Sequence, residues 1–168
     1  MSLSKNVKVV AKGEKEIVMT RSFQANRELV FDCFTKPELL KRWLFGPDGW
    51  ILSLCEVDLR IGGKYRYVWK REENGTEMGA GGVYKKIDKP ELLVCTEKFE
   101  ETWYPGEALL TNEFVSEGNR TNLIVTILYE SKEARDMVLK SPMEGGVEQS
   151  YNRLANLLDT VSISQESK

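Results

Sequence analysis

The stretch SPMEGGVEQSYNRLANLLDTV, residues 141–161, carries one apolar stripe from end to end. Met143, Val147, Tyr151, Leu154, Leu158 and Val161 recur at steps of three and four, so at 3.6 residues per turn they fall on one face of a helix. Glu148, Asn152, Asn156 and Asp159 face the other way. Ser141, Pro142 and Glu144 read as a helix start, with a Ser cap, a Pro at the first helical position and a Glu three residues after the cap. The spacing therefore predicts a long helix over 142–159, laid apolar side down on something broad. Gly145 and Gly146 interrupt its first turns, each costing about 1 kcal/mol against Ala. Two readings stay open: a frayed first turn, or a gap where backbone approaches closely or a ligand needs room.

What lies under that helix is set by the middle of the chain. From Trp50 to Tyr129 the pattern is strands and turns. Tyr65, Tyr67 and Trp69 alternate with Arg66, Val68 and Lys70, and Glu73-Asn74-Gly75 is a hairpin signal. Residues 79–87 read as a glycine-rich strand, with Gly79, Gly81 and Gly82 marking a bulge or strong bend. Further strands follow at 92–99, 108–115 and 121–129, in hairpin succession, which makes an antiparallel meander. Upstream, 16–23 reads as a strand, Asn26 caps a short helix over 27–34, and Pro37 opens a second over 37–43 that Gly46-Pro47-Asp48-Gly49 ends. Ser131 caps another short helix before the long one. The class is α+β: a curved antiparallel sheet of about seven strands around a long C-terminal helix, with two short helices after the first strand. Residues 1–15 read as a loose arm or a short leading strand, 16–160 as one domain, and 161–168 as a disordered tail.

Composition narrows the chemistry. The 168 residues, 41% hydrophobic and 30% charged, are those of an ordinary globular domain. A net charge of −2 gives no global pull towards nucleic acid or membrane, and no apolar run or export signal marks the chain for a bilayer or for secretion. Cys33, Cys55 and Cys95, an odd count in apolar contexts, read as reduced thiols in the cytoplasm. The chain has no histidine, which removes His triads, His bases and His metal sites together; no metal and no cofactor is expected. The basic residues Arg60, Lys64, Arg66, Lys70 and Arg71 are diluted by Asp58, Glu72 and Glu73 and read as a solvated strand face rather than a nucleic-acid surface.

Alternation then nominates what faces the helix. Tyr65, Tyr67 and Trp69 share one face of their strand; Leu93, Cys95, Glu97 and Phe99 share another; Ala108, Leu110, Asn112 and Phe114 a third. With Trp43 and Phe45 from the short helices and Met143, Val147 and Tyr151 from the long one, they are the candidate cavity wall. The candidate ligand-binding residues are Trp43, Phe45, Tyr65, Tyr67, Trp69, Glu97, Phe99, Asn112, Phe114, Met143, Val147 and Tyr151; no catalytic residue is nominated. Glu97 is the sharpest of them: a carboxylate on an apolar face must be paired, hydrated or protonated, with Tyr67 or Tyr151 as the expected partner. The competing reading turns Glu97 outward after a bulge. Trp103-Tyr104-Pro105-Gly106 reads as a lid, a homodimer contact or a packed turn.

These residues resemble a known family. Pro37-Glu38-Leu39-Leu40-Lys41-Arg42-Trp43 with Gly46-Pro47, Val57-Asp58-Leu59-Arg60-Ile61-Gly62-Gly63, Lys89-Pro90-Glu91, Trp103-Tyr104-Pro105-Gly106-Glu107-Ala108 and Met143 to Leu158 with Gly146, Ser150, Tyr151, Arg153 and Leu154 carry the likeness. The chain is similar to single-domain bacterial members of the family named for the activator of the heat-shock-protein 90 ATPase. That family lies within the START-like, Bet v 1-like (SRPBCC) superfamily of helix-grip folds. The resemblance implies a cavity between sheet and helix for a small hydrophobic or aromatic molecule, bound without catalysis. It also implies two alternatives: a chaperone-associated stress-response protein, and a polyketide cyclase or aromatase-like enzyme using Glu97 with a Tyr.

Overall fold

The computed structural model describes residues 6–166. Eight strands form one open antiparallel sheet: β1 (Lys8–Lys12), β2 (Glu16–Phe23), β3 (Trp50–Val57), β4 (Lys64–Arg71), β5 (Glu77–Asp88), β6 (Leu92–Phe99), β7 (Ala108–Glu117) and β8 (Arg120–Leu128). Their order across the sheet is β1-β2-β8-β7-β6-β5-β4-β3. The meander from β3 to β8 is a run of sequential neighbours, and β2 closes onto β8 with a continuous register from Glu16↔Leu128 to Phe23↔Thr121. The helices are α1 (Arg27–Thr35), α2 (Pro37–Leu40), α3 (Lys132–Lys140) and α4 (Met143–Glu166).

Three expectations are corrected, and one open reading is decided. The sheet of about seven strands has eight, because residues 8–12 form the short leading strand, β1 pairing with β2 from Lys8↔Thr20 to Lys12↔Glu16. This edge is tied down from the helical side: Arg135 donates from Nη1 to the Gly13 and Glu16 carbonyls, both at 3.0 Å, and the Val7 N–H donates to Glu148 Oε2 at 2.7 Å. The α4 helix does not stop near residue 160 but runs to Glu166; residues 1–5 of the expected arm and 167–168 of the expected tail lie outside the described residues. Ser141 does not cap α4. It ends α3, its hydroxyl donating to the Val138 carbonyl at 2.6 Å, and α4 begins at Met143. The α2 helix is a single turn, with residues 41–43 as a turn after it.

Local chemistry explains the remaining joints. The Leu29 N–H donates to Asn26 Oδ1 at 3.0 Å and the Ala134 N–H to Ser131 Oγ at 3.1 Å, the two expected caps. The bulge in β5 falls at Lys85, where the register to β6 shifts between Tyr84 and Lys86. Gly82 lies against β6 so closely that a side chain there would run into the Thr96 carbonyl, which is why the bent strand carries glycine. The core is closed by Ile17, Phe23, Phe31, Leu123, Leu154 and Leu158, all essentially inaccessible to water. Cys33, Cys55 and Cys95 are buried in it as separate free thiols.

Candidate functional site

Beneath the N-terminal half of α4 the packing stops and a cavity of about 670 Å³ opens between helix and sheet, within the range that holds small molecules. Trp43, Phe45, Tyr65, Tyr67, Trp69, Glu97, Phe99, Asn112, Met143, Val147 and Tyr151 line it. Phe114 does not. It sits deeper, edge-on to Phe31 at 5.3 Å and to Phe34 at 5.5 Å, because β7 runs from the cavity into the closed core along its length. Residues outside the candidate set complete the wall, among them Phe34, Tyr84, Trp103, Tyr104 and Tyr129. Alternation on β5 puts Tyr84 on the face of Ala80 and Gly82, so its position was readable once that glycine-rich strand was taken as part of the wall.

The aromatic wall is braced. The Trp43 indole N–H donates to the Cys33 carbonyl and the Trp69 indole N–H to the Leu44 carbonyl, both at 2.9 Å, so neither is left to bind a ligand. Tyr65 donates to the Thr96 carbonyl. The 103–106 loop is part of the wall: Trp103 and Tyr104 meet Phe99 edge-on at 5.7 and 6.1 Å, and Tyr104 meets Tyr129 at 5.4 Å.

The rim on the other side is held by polar bonds from α4. The Gly46 N–H donates to Ser150 Oγ at 2.9 Å, and Arg153 donates to the Gly46 carbonyl and to Asp48 Oδ1, both at 2.7 Å. The Asp48 N–H donates to Gln149 Oε1 at 2.7 Å, and the Arg153 guanidinium lies over the Phe45 ring, 5.0 Å from its centroid. A Cβ at Gly146 would stand 3.3 Å from the Pro47 ring, whereas one at Gly145 would meet nothing. Of the two readings of the glycine pair, close approach holds at Gly146.

Glu97 faces the cavity. The β5 bulge leaves the alternation of β6 intact, and Leu93, Cys95, Glu97 and Phe99 all line the wall. Among the described residues Glu97 has no hydrogen-bond or ion-pair partner, so the expected bonds to Tyr67 and Tyr151 are not formed. Burial alone pushes its carboxyl up to about 7, since the apolar surroundings disfavour its charge. Burial holds the phenols of Tyr67, Tyr104, Tyr129 and Tyr151 above the ordinary range, and the Glu97 charge adds to it in the same direction. The Tyr84 hydroxyl, in a side chain only 2% exposed, has no well-formed hydrogen bond; the Tyr67 phenol lies close by. Asn112 spends its amide on the Leu93 carbonyl at 3.1 Å, leaving its own carbonyl oxygen free. No cluster of three or more metal-ligating side chains occurs among the described residues. No helix there is long and apolar enough to cross a membrane.

A curved antiparallel sheet gripping a long helix over an apolar cavity defines a helix-grip protein of the ligand-binding SRPBCC kind. The chain belongs to the family described as activator of Hsp90 ATPase homolog 1-like protein, whose profile it matches over residues 24–159. It is similar to a Rhodobacter sphaeroides protein of known crystal structure, at 28% identity over 92% of this chain and 99% of that one, with a TM-score of 0.86. A Nitrosomonas europaea protein shares the fold at 22% identity, 91% and 99% coverage and a TM-score of 0.79. A Plasmodium falciparum HSP90 activator shares it at 24% identity, 79% and 91% coverage and a TM-score of 0.56. No curated protein sequence matches the chain.

Proposed function

We propose that the cavity binds a small hydrophobic or aromatic molecule without transforming it, with Glu97 as the polar anchor. The observation that carries this reading is the unpaired Glu97 carboxylate among braced aromatic side chains in a space of about 670 Å³. Rigid aromatic walls supply area at low entropic cost, and one polar group fixes orientation. Binding rather than catalysis is supported by the isolation of that carboxylate. No lining hydroxyl or thiol among the described residues hydrogen-bonds to it, the arrangement that would activate a nucleophile. The three unpaired buried thiols support a reducing compartment, the cytoplasm.

Native mass spectrometry of the protein purified from its own host tests the reading. A small-molecule mass increment that disappears on denaturation is the expected result. Recovery of the bare mass, together with unchanged Trp43, Trp69 and Trp103 NMR signals across a library of small aromatics, would overturn it.

A further inference from the structure

The wall is one-sided in charge. Glu97 lies within it and the exposed Glu101 stands at its mouth, yet no lysine or arginine lines it and the chain has no histidine. The nearest cations lie outside the wall and face other partners: Arg153 bonds Asp48 and the Gly46 carbonyl, and Arg21 bonds Asn152 at 3.0 Å with Glu148 at 4.0 Å. The buried Nε of Arg21 has no partner, however, and Tyr151 feels its charge. The other titratable groups facing the space are Tyr65 and Tyr67 from β4, Tyr84 from β5, Cys95 from β6, Tyr104 from its loop, Tyr129 after β8 and Tyr151 from α4. All are neutral near pH 7, because burial raises every one of them. Tyr65, Tyr67, Tyr104, Tyr129 and Tyr151 stand near enough to feel the Glu97 charge, and Trp69, Phe99 and Trp103 line the same cavity.

We infer that the ligand is an organic cation, a protonated amine on an apolar or aromatic body, held between the Glu97 carboxylate and the aromatic walls. This rests on the cavity being a binding site, as proposed above, and adds the sign of its occupant. An anionic ligand, such as a fatty acid, meets a like charge here with no basic group to offset it. A neutral one supplies no counter-charge, so Glu97 must take up a proton to stay beside it. An ammonium answers both demands, and the negative faces of Tyr, Phe and Trp rings attract it further. Glu101 at the mouth favours the same sign during approach.

The test uses three probes of one shape: 1-naphthylmethylamine, 1-naphthylmethanol and 1-naphthaleneacetate. Each is titrated calorimetrically into wild-type protein and Glu97→Gln at about pH 8, where a buried Glu and an alkylamine are both charged. The expected result is wild-type affinity for the amine about tenfold or more above the alcohol, with the acetate weakest. Glu97→Gln removes the amine's advantage over the alcohol; its melting curve checks the fold, and the wild-type series stands without it. Equal affinities for the three, or the acetate tightest, would overturn the inference and leave the cavity reading standing. Saturation by none of them, with the tryptophan NMR signals unmoved, would overturn both.

Discussion

From Leu154 onward α4 is closed in, Leu154, Leu157 and Leu158 being 0%, 5% and 1% exposed, whereas in its first turns Met143 and Val147 stay partly open over the cavity. Both halves present the same kind of side chain at the same spacing to the same sheet. The difference lies beneath them. The leucines belong to the same closed core as Phe23, Phe31 and Leu123, while the first turns span a gap that the β4 and β6 aromatics border without filling. A helix pinned by packing along one half can bridge empty space with the other. There the holding is done by hydrogen bonds to a rim, from Ser150, Gln149 and Arg153 to Gly46 and Asp48.

The contrast breaks most visibly at Leu154. Leu154→Ala removes a fully buried side chain from close packing and should cost about 2–5 kcal/mol in denaturant unfolding. A loss under about 1 kcal/mol would mean that this half, too, lies over free space.

The cavity side makes its own signature through Glu97. Its carboxyl is raised in the folded protein, so folding binds protons more tightly than the unfolded chain does. The resulting stability is fully present below the unfolded value near 4.5 and is lost as pH rises through about 7. Glu97→Gln should therefore match wild type near pH 4 and exceed it by roughly 1–3 kcal/mol at pH 8. Chemical denaturation across that range checks the sign; equal stability at both ends would place the carboxylate in bulk water.

The smallest effect sharpens the same contrast. Met143→Ala should change stability by under about 1 kcal/mol, since the side chain is only partly buried and borders the cavity. It enlarges the cavity, so the same variant should weaken binding of a naphthalene-sized probe while barely moving the melting curve.

The sequence pattern made the grip legible. The stripe on α4, the period-two faces of β4 and β6 and the hairpin turns each point to one arrangement, because local periodicity and burial agree there. Glu97 was found by being the wrong chemistry on an apolar face. Illegible features depend on contacts distant in the chain. Edge strand β1 is held by Arg135 and Glu148, over a hundred residues away, and residues 6–15 alone leave arm and strand equally open. Ser141-Pro142 resembled a cap, yet the same serine serves the carbonyl end of the preceding helix. Phe114 shares its face with Asn112, but alternation says which side a residue faces and not how deep it lies.

The bonds between α4 and the Gly46–Asp48 rim have a consequence in time. Their partners are separated by 101 to 107 residues, so on a growing chain Gly46 and Asp48 leave the ribosome several seconds before Gln149, Ser150 and Arg153, at ~5–20 residues per second. For most of that interval the strands of the aromatic wall are still being made, and once Tyr129 is out the wall has no helix above it until α4 follows. The binding space closes only when α4 arrives, and any molecule that occupies it earlier meets an open tray rather than a closed vessel.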